Sequence, residues 1–125
     1  MRTMTRVLII DDSSFQRKII SSILTAEDYE IFSAQNGLEG LKYLASDLPD
    51  LMVLDLLMPE MDGMEVLAEM RERGIQVPVI VLTADIQDST KQKCIELGAA
   101  RFINKPVKKD ELCASVREVL GVKGA

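Results

Sequence analysis

The sequence predicts an α/β fold: five parallel strands forming one sheet, doubly wound as (βα)5 with helices on both faces. Five short apolar runs alternate with five amphipathic stretches through a chain of 125 residues. Three of the runs are apolar without a break: Val7-Leu8-Ile9-Ile10, Leu51-Met52-Val53-Leu54 and Val79-Ile80-Val81-Leu82. A parallel strand covered on both faces needs such continuity, whereas a half-exposed strand would alternate. The connections are short, and right-handed crossovers between parallel strands then distribute the helices over the two faces.

The first strand is expected at Arg6–Ile10. Ser13 or Ser14 can cap the helix after it, in which Phe15, Ile19 and Ile23 recur every four residues. The second strand, Glu30–Ala34, is more polar and belongs near a sheet edge. Leu38, Leu41 and Leu44 mark the second helix, and Leu51–Leu54 the third strand. Gly63–Arg73 reads as a helix with Val66, Leu67 and Met70 inward and Gly74 as its stop. The fourth strand is expected at Val77–Leu82, followed by a weaker helix at Asp88–Leu97 that Gly98 ends. Ala100–Ile103 is a second edge candidate. The last helix, Lys109–Leu120, puts Leu112, Val116 and Val119 on one face, with Gly121 following.

Composition narrows the function. One domain of roughly 100–150 residues buries a core without staples. At 47% hydrophobic and 28% charged residues the chain is ordinary for a globular protein. The net charge is −5 and no run of Lys and Arg exceeds two, so direct nucleic-acid binding is not expected. No stretch approaches the about 20 apolar residues of a membrane span. Met1 to Arg6 lacks the apolar region of a signal peptide, and a cytoplasmic location is expected. There is no histidine, which excludes triads built on an imidazole base. Cys94 and Cys113 read as small packing residues rather than a disulfide. With no repeat or linker, residues 1–125 are expected to be a single domain (core 6–120) without an effector domain.

In an open parallel sheet, ligands bind beyond the carboxyl ends of the strands. Asp11-Asp12 follow the first strand, Asp55 the third, Thr83-Ala84 the fourth and Asn104-Lys105-Pro106 the fifth. Carboxylates crowded on neighbouring strand ends repel by roughly 1–4 kcal/mol per pair, which a cation would relieve. Oxygen-only ligands in a small open cluster favour Mg²⁺. Lys105 and Thr83 add a positive charge and a hydroxyl, suited to the oxygens of a phosphoryl group. Taken singly, an Asp after a strand is often only a turn former. Asp55 is different, because it interrupts Leu51–Leu54 and Leu56-Leu57-Met58, where an unpaired carboxylate is costly.

Val7-Leu8-Ile9-Ile10-Asp11-Asp12-Ser13, Asp55-Leu56-Leu57-Met58-Pro59 with Met61-Asp62-Gly63, Leu82-Thr83-Ala84 and Lys105-Pro106 together resemble the receiver domain of two-component response regulators, in particular its stand-alone chemotaxis-type members. The resemblance spans Arg6 to Leu120. It implies a flavodoxin-like strand order of 2-1-3-4-5 and a phosphorylation-activated switch rather than an enzyme in the usual sense. Asp55 would accept a phosphoryl group from a histidine kinase or phosphotransfer protein. Asp11, Asp12 and Asp55 would hold Mg²⁺ together with the Leu57 backbone carbonyl, Asp11 mainly through water. Lys105 would pair with the phosphoryl group, aimed by a cis bond to Pro106, and small Ala84 would leave room for it.

The resemblance also implies that Thr83 and Phe102 form the switch. A downstream protein would bind the surface of the fourth helix, fifth strand and fifth helix, with the chain a monomer or a phosphorylation-dependent dimer. Leu57 and Asp85, each two residues beyond a key position, would flank the path of the hydrolytic water. Thr83-Ala84-Asp85-Ile86-Gln87 is similar to chemotaxis regulators served by a separate phosphatase. Two other readings compete. A haloacid dehalogenase-type phosphatase also uses an Asp nucleophile, Mg²⁺ and a Lys, but needs a second acid where Ser13 and Leu57 stand. A degenerate receiver acting only as a binding module would not need the full set of acids, Thr and Lys. A flavin module is disfavoured because Asp11-Asp12 would repel its phosphate.

Overall fold

The computed structural model describes residues 4–85 and 87–121; the expectations for Met1 to Thr3 and for Ile86 lie outside that range. The strands are β1 (Arg6–Ile10), β2 (Glu30–Ala34), β3 (Leu51–Asp55), β4 (Val79–Thr83) and β5 (Arg101–Asn104). The helices are α1 (Ser14–Thr25), α2 (Gly37–Ser46), α3 (Gly63–Glu72), α4 (Asp88–Glu96) and α5 (Lys109–Leu120). All strand pairs are parallel, in the flavodoxin-like order β2-β1-β3-β4-β5. The two more polar strands are therefore the edges, as their composition implied.

Side chains alternate across a strand, so each central strand feeds two cores. Leu8, Ile10, Met52, Leu54, Val79 and Val81 pack with Leu41, Leu44, Val66, Leu67, Met70 and Cys94 under α2, α3 and α4. Val7, Ile9, Leu51, Val53, Ile80 and Leu82 pack with Ile20, Leu24, Leu112 and Val116 under α1 and α5. Cys94 and Cys113 are buried and free, as expected of packing residues. Among the described residues no helix is long and apolar enough to cross a membrane.

Two expected helix stripes are corrected. In α1 the buried line is Ile20 and Leu24, while Phe15 is 68% exposed. Spacing by four fits both Ile19–Ile23 and Ile20–Leu24, and the second of these is the buried one. In α2, Leu41 and Leu44 are buried but Leu38 is 58% exposed. The contact line runs instead through Gly37 and Gly40: a Cβ on Gly40 would fall 2.3 Å from Ile10 Cδ1. This close approach turns Leu38 outward. Ser13, not Ser14, caps α1, its side chain accepting from the Gln16 N–H. β4 begins two residues later than expected, beyond Pro78, which has no N–H to give the ladder.

Candidate functional site

The strand register delivers the polar residues to one rim. Asp55 is the last residue of β3 and pairs with Leu82, and Thr83 ends β4 opposite Asn104. Asp11 follows β1 directly, with its N–H on the Ala34 carbonyl at 3.2 Å. Lys105 follows β5, with its N–H on the Thr83 carbonyl at 2.8 Å, and the Lys105–Pro106 peptide is cis, as the resemblance implied. Asp11, Asp55 and Thr83 are buried, whereas Asp12 is exposed.

Asp11, Asp12 and Asp55 each offer a carboxylate oxygen, and these oxygens lie within 4.8 Å of one another. Lys105 Nζ stands 3.1 Å from Asp55 Oδ1 and 3.6 Å from Asp11 Oδ2. One ammonium does not balance three acids. Burial first, and then the Asp11 charge, raise the Asp55 carboxyl from 3.8 to about 6 against the opposing pull of Lys105. Asp11 Oδ1 accepts from the Ser13 N–H at 2.9 Å, but Asp11 Oδ2 is buried without a hydrogen-bond partner. A buried carboxylate oxygen that accepts no hydrogen bond, beside two other acids, suits a hard divalent cation. The residues therefore fit Mg²⁺.

Thr83 Oγ1 accepts from the Asp85 N–H at 3.0 Å, so its hydroxyl is directed along the β4–α4 loop. Ala84 and Pro106 are exposed at the rim, and Leu57 is 58% exposed in the β3–α3 loop. Phe102 is half-buried on β5 against the core under α4. Asp85, expected beside the path of water, has both carboxylate oxygens engaged: one accepts from the Gln87 N–H and the other from the Thr90 hydroxyl. These two bonds hold its carboxyl below the usual range. It therefore ties the loop to α4, whose own cap residue, Gln87, makes no side-chain bond.

Two contributors, Gly63 and Arg17, were given no role at the site from the sequence. Gly63 opens α3 so close to the site that an added Cβ would lie 2.7 Å from the Asp55 carbonyl oxygen. Its signal was a glycine directly after Asp62, which caps α3 with a capping box completed by Glu65. Arg17 donates to the Asp11 carbonyl at 2.7 Å. Its signal was a cation near a helix N-terminus, where the dipole disfavours one.

A five-stranded parallel sheet in this order, with acids, a lysine and a threonine gathered at its carboxyl rim, defines a class, the flavodoxin-like α/β domains with an acidic rim site. The comparisons agree and are more specific. The profile of the response regulator receiver domain matches residues 7–117. The chain is 37% identical over 112 residues to the transcriptional regulatory protein DltR of Streptococcus agalactiae, covering 90% of this chain and 50% of that one. It is 37% identical over 115 residues to the response regulator MprA of Mycolicibacterium vanbaalenii, covering 92% and 50%. Among solved structures, the chemotaxis protein CheY4 of Vibrio cholerae superposes with a TM-score of 0.88 at 28% identity, over 94% of this chain and 99% of that one. The receiver domain of a histidine kinase from Syntrophus aciditrophicus gives 0.83 at 35% identity, over 97% and 94%. The chain belongs to the response regulator receiver domain family of two-component signalling, and it spans about half the length of the curated relatives it matches. The haloacid dehalogenase-type alternative is left without support.

Proposed function

We propose that this receiver domain is a phosphorylation switch in which Asp55 accepts a phosphoryl group from a histidine kinase or phosphotransfer protein. The observation that carries this reading is the three-acid cluster with Lys105 Nζ 3.1 Å from Asp55 Oδ1. Asp11, Asp12 and Asp55, with the Leu57 carbonyl, would hold Mg²⁺, which supplies charge neutralisation at the phosphoryl oxygens. With its carboxyl at about 6, Asp55 is mostly ionised at neutral pH and ready as a nucleophile. A carboxylate oxygen bonds to phosphorus as the donor's P–N bond breaks, and the electron pair stays on the donor nitrogen. Lys105 moves from carboxylate to phosphoryl oxygen, and Ala84 presents no bulk at the rim.

The readout runs through Thr83. Turning toward the phosphoryl group, its hydroxyl gives up the Asp85 N–H and frees the loop that leads to α4. Phe102 turns inward behind it, and the α4-β5-α5 face takes up a partner protein. One hydrogen bond is worth about 0.5–1.5 kcal/mol, rising to about 3 when charged. A full population shift needs about 5.5 kcal/mol. Partner binding therefore supplies part of the bias, with a phosphorylation-dependent dimer as one form of it. The acidic balance argues against the receiver fold itself gripping nucleic acid, and a cytoplasmic location and service by a separate phosphatase belong to the same proposal. The test is intact mass after incubation with acetyl phosphate. One phosphoryl group is expected with Mg²⁺, and none with EDTA or in Asp55→Asn. Equal modification of the variant would refute the acceptor assignment.

A further inference from the structure

We propose that Arg17 is a positioning residue for the acidic site: its bond to the Asp11 carbonyl holds the Asp11–Asp12 turn where both carboxylates face Asp55. This rests on the reading of the cluster as a Mg²⁺ site. Asp11 is fixed at three points. Its N–H is on the Ala34 carbonyl, its Oδ1 accepts from the Ser13 N–H, and its carbonyl accepts from Arg17 Nη1 at 2.7 Å. Oδ2 is buried, has no hydrogen-bond partner, and lies 3.6 Å from Lys105 Nζ on the side of the cluster. The first bond secures what precedes the turn, and the second closes it across Asp11, Asp12 and Ser13. The Arg17 bond adds a hold on the Asp11–Asp12 peptide from the side of α1, and Asp12 itself is exposed.

Arg17 has no other evident purpose. It is the fourth residue of α1, a helix whose first turn carries no acid, so its charge opposes the helix dipole. Among the described residues it forms no ion pair. Its backbone N–H closes the first turn on the Ser13 carbonyl at 3.0 Å, and its side chain folds back over the same turn to Asp11. Side chains that orient metal ligands without touching the metal commonly change affinity by about 10–100-fold when removed.

A bare charge predicts the opposite sign. A cation beside a cation site repels the ion, so deleting it would tighten binding. Titrating the full chain with Mg²⁺ alone and following amide NMR shifts reads affinity in folded molecules only, and urea unfolding in EDTA reads stability separately. Arg17→Ala is expected to weaken Mg²⁺ binding about tenfold. Arg17→Lys, which keeps the charge but loses the planar fork, is expected to fall between the two and covers the case in which the alanine variant does not fold. Unchanged or tighter binding by Arg17→Ala overturns the proposal, as does a lower urea midpoint with affinity intact. If the wild type shows no saturable Mg²⁺ binding, the metal reading itself fails and takes the proposal with it.

Discussion

Replacing Asp55 by Asn should make the metal-free protein more stable, although it removes the residue on which the proposed function depends. Asp55 is 4% exposed and sits among acids, and its carboxyl is raised from 3.8 to about 6. At about 1.4 kcal/mol per tenfold change in proton affinity, that difference corresponds to about 3 kcal/mol against the ionised folded form. The folded chain holds the Asp55 proton more tightly than the unfolded chain does. The cost is therefore absent below pH 3.8, grows as pH rises through the interval, and is complete above about 6. The substituted amide also forfeits part of the contact with Lys105, so the expected net gain is about 1–3 kcal/mol. Urea unfolding in EDTA, followed by circular dichroism because the chain has no tryptophan, measures it. The variant should unfold at higher urea near neutral pH, and the gap should close near about pH 4. Added Mg²⁺ should stabilise the wild type and leave the variant unmoved. A variant less stable than the wild type at neutral pH, or a gap that persists in acid, would refute the electrostatic account.

Gly63→Ala should cost about 1–3 kcal/mol in thermal unfolding, because the new Cβ meets the backbone of Asp55 and Leu56 rather than a side chain that can turn away. Lys105→Met should raise the Asp55 carboxyl beyond about 6, since the main opposing charge is gone; carbon-13 NMR of the carboxyl against pH reads this directly. Asp85→Ala removes the acceptor for the Gln87 N–H and the Thr90 hydroxyl, and should speed amide exchange at the start of α4, as hydrogen exchange followed by NMR reads. Leu41→Ala should cost about 2–5 kcal/mol and Leu38→Ala less than about 0.5, which tests the register of α2.

The strands were legible because β1, β3 and β4 are covered on both faces, and runs as short as Val79 to Leu82, rich in β-branched residues and bounded by turn signals, fit a buried strand better than a buried helix. The edge positions of β2 and β5 followed from the same logic inverted. Asp55 stood out because a carboxylate does not end an apolar run without a partner, and its convergence with Asp11, Asp12, Lys105 and Thr83 needed only the rule for where parallel sheets bind. Helix faces were harder to read. Periodicity accepts two adjacent stripes in α1, and in α2 the line of contact is set by Gly40 against Ile10, a close approach that a count of leucines does not register. Arg17 and Asp85 act through backbone groups of the turns they hold, Asp11 and Gln87. Such bonds depend on where a loop folds back, and residue type alone does not announce them.

The most direct test is to find which residue carries the phosphoryl group. After phosphorylation with Mg²⁺ and an acyl phosphate donor, borohydride reduction converts an aspartyl phosphate to homoserine, and peptide mass spectrometry locates it. Homoserine in place of Asp55, and at no other acid, is the predicted result. Homoserine in place of Asp11 or Asp12, or a phosphoryl group on a hydroxyl side chain, would contradict it.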